Sequence, residues 1–325
     1  MAMRKIIFTL LMCLVCIAMQ GQTNVVRRGG NKSSSGTTRN TTPKASNQKS
    51  TTGKTGYSGR QGKYSHSSGK KSGKSTHETE EQEQQAFENT ELQKHLAKRD
   101  ELMANMIANM VLIEGGQFEM GATKEQGKDA EKNEGPKHKV TVRPFAIGRY
   151  EVTQEEWEIV MGYNKSQNKG DKMPVVNVTW NEVQQFLFRL KQITGVTFRL
   201  PTEAEWEFAA RGGVNSNNSK FAGSPNLDAV GWFSGNSQGL QPVGLKSPNE
   251  LGLYDMSGNA MEWCDDWYDD YKRGKFENPK GPSTGSTKVY RGGGWMTNDK
   301  NCRVSSRNSF DPDFGYGGLG FRLAQ

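Results

Sequence analysis

The apolar positions of this chain fall into three regimes. Over residues 6–19 they are almost continuous, behind Arg4 and Lys5 and ahead of Gln20, Gly21 and Gln22. A basic lead, a short apolar run and a small polar exit read as a secretory signal peptide over residues 1–21. That run is too short to cross a bilayer and no other long one follows, so no transmembrane segment is expected. Over residues 22–77 Ser, Thr, Gly, Lys and Asn dominate, with Tyr57 and Tyr64 isolated. Nothing there offsets the entropy of ordering a backbone, which predicts a disordered basic arm.

From residue 78 the spacing turns helical. Leu92, Leu96, Met103, Met106, Ile107 and Met110 recur at near-helical intervals with no Pro or Gly between them. This predicts an acidic amphipathic helix over 78–109 that packs on the domain behind it. Three more helices are announced by capping boxes, in which a Thr oxygen accepts from the third helical amide and a Glu reaches back. The pairs are Thr153 with Glu156, Thr179 with Glu182, and Thr202 with Glu205. The second helix carries Val183, Phe186, Leu187 and Leu190 on one face and stops at Gly195. Past Gly212 the helical period is lost, and short strands such as 289–291 and 320–323 alternate with turns of Gly, Asn, Asp and Pro. The pattern predicts an α+β domain over 110–325 whose irregular backbone needs staples: metal, disulfide or buried aromatics.

Charge divides along the same lines. The formal charge is +14 over residues 1–77, −5 over 78–110 and −1 over 111–325. The only part long enough to bury a core is near neutral, which argues against a nucleic-acid-binding fold. The arm reads as a solvated spacer or as a contact for anionic envelope polymers. Cys13 and Cys16 lie in the signal segment, where Met12 and Val15 stand in place of the small residue that lipoprotein processing wants. Export therefore leaves Cys264 and Cys302 in an oxidising compartment.

Four blocks, in one order, resemble the formylglycine-generating-enzyme (sulfatase-modifying factor) family. They are Met110-Val-Leu-Ile-Glu-Gly-Gly-Gln-Phe-Glu-Met-Gly121, Phe198-Arg-Leu-Pro-Thr-Glu-Ala-Glu-Trp-Glu-Phe-Ala-Ala-Arg211, Gly252-Leu-Tyr-Asp-Met-Ser-Gly-Asn-Ala-Met-Glu-Trp263, and an ending with Arg291-Gly-Gly-Gly-Trp295, Arg303, Arg307 and Gly320-Phe-Arg322. The resemblance covers residues 110–325 and implies that family's C-type-lectin-like α+β fold. It also implies a calcium site on Asn259, Glu262 and the carbonyls near Ser257, Gly258 and Ala260, and hard oxygens converging in a tight turn suit that ion. The competing reading is a capped turn with Glu262 bonded to backbone amides.

In the enzymes it resembles, two cysteines hold copper. The first comes two residues after the aromatic of a Gly-Gly-Ser-aromatic segment and the second five further on. Here Thr297 takes the first place. Counting without gaps puts Cys302 in the second, whereas counting back from Arg307 shifts the register by two and leaves no match. Copper(I) wants two soft thiolates, so copper is not expected and Cys302 is the one catalytic candidate. Non-haem iron relatives need two or three histidines, and the domain has His138 alone, with His66, His77 and His95 outside it; iron is not expected either. His138 reads as a surface residue where a strand begins. The resemblance places the segments carrying Cys264 and Cys302 side by side, implying a disulfide that would stabilise by roughly 4 kcal/mol on the chain-entropy model.

Two segments suggest binding. Residues 262–271 set Trp263, Trp267, Tyr268 and Tyr271 among Asp265, Asp266, Asp269 and Asp270, a groove for sugar or peptide, or equally core aromatics with solvated acids. The loop over 295–318 has the Asn, Asp, Ser, Gly and aromatic mixture of recognition loops. Trp263, Trp295, Asp311, Phe314 and Tyr316 are the candidate ligand-binding surface. The resulting expectation is an exported binding or scaffold module of the cell envelope, its ligand an envelope protein or a glycan. The alternatives are a divergent formylglycine-generating oxidoreductase acting on exported sulfatases, and a lectin-like domain.

Overall fold

The structure is a computed structural model and describes residues 76–325; the expected signal peptide and basic arm lie outside the described residues. The lead helix, α1, spans Thr76–Ala108. Only its last turns are held by the domain: Leu102, Met103 and Met106 are buried in the main core, and Lys98 pairs with Glu155 at 2.7 Å. Phe87 and Leu92 are 62% and 52% exposed. The expectation that the whole stripe packs is thus corrected. Among Glu80, Glu81, Glu83, Glu88 and Glu91 the upstream turns have too few apolar side chains to bury a face. No helix among the described residues is long and apolar enough to cross a membrane.

Beyond α1 the chain forms small sheets with helices packed between them. Strand β1 (Met110–Ile113) pairs antiparallel with β4 (Phe145–Gly148); β2 (Gly116–Met120) pairs antiparallel with β3 (His138–Val142). The site rests on a four-stranded sheet in the order β8-β7-β5-β9, made of β5 (Met261–Trp267), β7 (Lys288–Arg291), β8 (Arg307–Phe310) and β9 (Leu319–Gly320). A short strand, β6 (Lys275–Glu277), joins β3 in parallel.

Helices α2 (Gln154–Met161), α3 (Trp180–Thr194) and α4 (Glu203–Ala210) each begin in a complete capping box at the expected Thr and Glu. The face of α3 buries Val183, Phe186, Leu187 and Leu190, and the helix ends at Gly195 with φ 72, the left-handed geometry that suits glycine. Trp157 of α2 stacks on Phe186 with ring centroids 5.2 Å apart, and Phe321 meets both edge-on. One further turn of helix, α5, spans Leu227–Val230.

The staples of this irregular backbone are arginines. Arg291 pairs with Glu207, Arg303 with Glu134, Arg307 with Glu203 and Arg322 with Glu262, each pair buried. Such pairs tie the C-terminal strands to distant segments, and losing one partner leaves an uncompensated charge. The expected disulfide is not made: Cys264 and Cys302 are both free. Cys264, on the central strand β5, packs in the cluster of Trp206, Phe208 and Val289, whereas Cys302 packs against Phe221, Leu227 and Val230. The two thiols belong to different cores.

Candidate functional site

Strands β7 and β8 and the chain between them line a pocket of about 260 Å³, walled by Tyr290, Thr297, Asn301, Ser306, Asn308, Phe310 and Tyr316. Two glycines shape its floor. Gly292 and Gly293 have φ 95 and 66, and a Cβ on Gly293 would lie 2.7 Å from Cys302 Sγ and 2.8 Å from Asn301 O. The bare turn lets the short helical segment Asp299–Cys302 press beneath it. Thr297 Oγ1 donates to Gly294 O and accepts from Gly294 N, both at 3.0 Å, and stands 3.6 Å from Cys302 Sγ. The two positions that the gap-free count picks out thus stand side by side.

The chemistry of this pair follows from its burial. Cys302 has no exposed surface, and desolvation pushes its thiol up to about 12, so at neutral pH it holds its proton, donating weakly to Asn298 O at 3.6 Å. A protonated thiol beside a hydroxyl does not fit copper(I), which takes thiolates.

Phe310 and Tyr316 line the pocket, and further aromatic side chains sit on the same C-terminal loop. Phe314 and Tyr316 are 61% and 45% exposed, Phe310 lies 6.3 Å from Tyr316 between ring centroids, and the Tyr316 hydroxyl reaches Met296 Sδ at 3.1 Å. Asp311 is half-buried and accepts from Asp313 N at 2.9 Å, capping the loop turn. Trp295 is half-buried against Val176, Leu240 and Ala260. Trp263 is corrected: it lies fully buried in the main core, its indole donating to Val178 O at 3.0 Å. A central strand buries both faces, so an aromatic there reads outward only in sequence.

The turn read as a calcium site has its side chains otherwise engaged. Glu262 receives Arg322 Nε and Nη2, each at 2.6 Å, and Trp206 Nε1 at 2.7 Å. Asn259 Oδ1 accepts from Gln241 N and its amide donates to Glu151; Ser257 Oγ accepts from Ala222 N. As placed, Glu262 is the counter-ion of an arginine, and the set named from sequence does not fit a metal. Next to it the charge does not balance. Glu151 is buried and raised well above the carboxylate range by desolvation and then by Asp255 and Glu262. Asp255 is raised to about 6 by burial, and its Oδ1 is buried without a partner.

The acidic-aromatic stretch divides between core and surface. Trp180 and Trp267 clamp Lys288 Nζ, 4.0 Å from each ring. Asp266 accepts from Glu203 N at 2.8 Å, and desolvation with nearby Glu203 pushes it up to about 8. His138 is buried rather than on the surface, edge-on to Tyr271 and Phe276. One face of each ring is covered by the protein's own cations, Arg307 over Tyr271 at 3.9 Å and Lys288 over Trp267 at 4.0 Å, while Trp267 and Tyr271 also line a cavity of about 310 Å³ with Asp266, Asp269 and Asp270.

A family model described as the sulfatase-modifying factor enzyme 1-like domain matches residues 93–325. The formylglycine-generating enzyme of Streptomyces coelicolor is 30% identical over 285 residues, covering 66% of this chain and 88% of that one. The chaperone protein LppX of Paenibacillus barcinonensis is 32% identical over 254 residues, covering 62% of this chain and 84% of that one. Among solved structures, Treponema denticola variable protein 1 superposes with a TM-score of 0.60 at 30% identity, covering 66% of this chain and 94% of that one.

Proposed function

Because this chain belongs to the sulfatase-modifying factor family and carries its C-type-lectin-like α+β fold, we propose that it is an exported, cell-envelope member whose oxidase site has become a ligand-binding pocket. The observation that carries the reading is the pair Thr297 and Cys302, 3.6 Å apart, where the family resemblance calls for two thiolates. The exposed Tyr316, which lines the pocket beside Phe310, supports recognition of a partner molecule, because large apolar side chains held at a pocket rim are what binding sites use as anchors. One relative is named a chaperone, so a role exercised on another molecule has a counterpart among similar chains.

The test is direct. Full-length chain, loaded with copper(I) under oxygen, is incubated with a cysteine-bearing sulfatase peptide, and the peptide's mass is followed. No conversion of thiol to aldehyde is expected. Conversion that disappears in Cys302→Ser would overturn the reading and make the chain a divergent formylglycine-generating oxidoreductase.

Calcium belongs to the proposal on shifted donors. A Ca2+ ion would satisfy the orphaned Asp255 Oδ1 and offset the surplus charge that Glu151 and Asp255 share, with Glu262 kept for Arg322. Bound there, it would brace the turn beneath β5 and take no part in binding at the pocket.

A further inference from the structure

Ligand chemistry at the β7–β8 pocket is written in its uncommitted groups. Among the described residues, none hydrogen-bonds the Tyr290 hydroxyl, Ser306 Oγ, or the side-chain amides of Asn301 and Asn308, all of which line the cavity. Ser306 is only 6% exposed and lines the cavity, so a ligand seated there meets a hydroxyl that no described protein group engages. The four groups come from β7, the helical turn, β8 and the residue just before it, and they converge on one space although the sequence separates them.

Their chemistry narrows the occupant. Hydroxyls and primary amides both donate and accept, and none of the four carries charge. The one charged residue in the lining, Arg291, is matched by Glu207 and bonds Ser305 O at 2.9 Å and Ser306 O at 2.6 Å. An anionic ligand finds no free cation here, and a cationic one no free carboxylate. Phe310 and Tyr316 supply aromatic surface beside the polar set. An extended peptide offers one face a donor and acceptor only at alternate residues, whereas this cavity gathers four two-way groups in about 260 Å³. We infer that the pocket binds an uncharged saccharide unit, its hydroxyls bonding Tyr290, Asn301, Ser306 and Asn308 and its C–H face lying on Phe310 and Tyr316. This rests on the reading of the pocket as a binding site and names its ligand class.

Saturation-transfer NMR on the full chain tests it with four probes: N-acetylglucosamine, galactose, glucuronic acid and a tetra-alanine peptide. Transfer to a neutral sugar and not to glucuronic acid or the peptide is expected. Ser306→Ala and Asn308→Ala should each weaken sugar binding by about 3- to 10-fold, the effect of one hydrogen bond, with the melting temperature held. Should either variant misfold, Tyr290→Phe deletes a single oxygen and carries the same expectation. Transfer to no sugar, transfer to the peptide or uronic acid alone, or sugar binding unchanged in all folded variants would each overturn the inference. A chain that binds no sugar and makes no aldehyde loses this inference and keeps the non-oxidase reading; one that makes aldehyde loses both.

Discussion

Asp255→Asn isolates what the acidic turn does to stability. Asp255 sits at φ 57, a left-handed conformation that Asn tolerates well. Its Oδ2 accepts from Gly244 N at 2.7 Å, a bond an amide oxygen can keep. The substitution therefore removes charge with little change of shape. Burial raises the carboxyl from 3.8 to about 6, and at about 1.4 kcal/mol per pKa unit the folded state loses about 3 kcal/mol when the group ionises. The sign follows from the raised value. The folded chain holds this proton longer than the unfolded chain, so stability from this group falls as pH rises from about 4 to about 6 and stays low above that. Urea unfolding with chelator present should show wild type and Asp255→Asn nearly equal at about pH 4, with the variant ahead by up to about 3 kcal/mol at neutral pH. Adding millimolar Ca2+ should stabilise wild type by mass action and leave the variant unmoved. A variant less stable than wild type at neutral pH in chelator would refute the surplus-charge reasoning, and a wild type indifferent to Ca2+ would remove the proposed ion.

Cys264 and Cys302 should both resist alkylation in the native chain, their thiols raised by burial, and both should alkylate after denaturation without reductant; peptide mapping that finds them joined would restore the bridge. Met106→Ala, on the docked end of α1, should cost about 2–4 kcal/mol in urea unfolding, while Phe87→Ala on its free end should stay within about 0.5 kcal/mol. Glu207→Gln leaves Arg291 and Arg211, which share that carboxylate, short of a counter-charge, and a loss of about 3–5 kcal/mol is expected by the same assay.

What the sequence made legible was local. Thr153, Thr179 and Thr202 announce their helices because a capping box is complete within four residues, and the α3 face is visible because its burial follows the helical period. Long-range partners were not. Nothing adjacent to Arg303 points to Glu134, or near Arg291 to Glu207, since these pairs span 169 and 84 residues. Trp263 was misplaced for a related reason: β5 is covered on both faces, which erases the alternation that would mark an inward side chain. The Cys264–Cys302 pairing failed because neighbouring segments can aim side chains into different clusters. Tyr290, Asn301, Ser306 and Asn308 went unnoticed as a set. The one trace was in β8, where buried Arg307 precedes half-buried Asn308, an alternation that turns Asn308 toward the other face.

The loss of the thiolate pair is open to a binding measurement that needs no substrate. Reduced full-length chain is titrated against a chromophoric copper(I) chelator, with Cys302→Ser beside it. With Thr297 in one ligand position and the Cys302 thiol raised to about 12 in the other, wild type and variant should both leave the copper with the chelator. One copper(I) withdrawn per wild-type chain, and none by Cys302→Ser, would contradict the assignment of this pocket to binding.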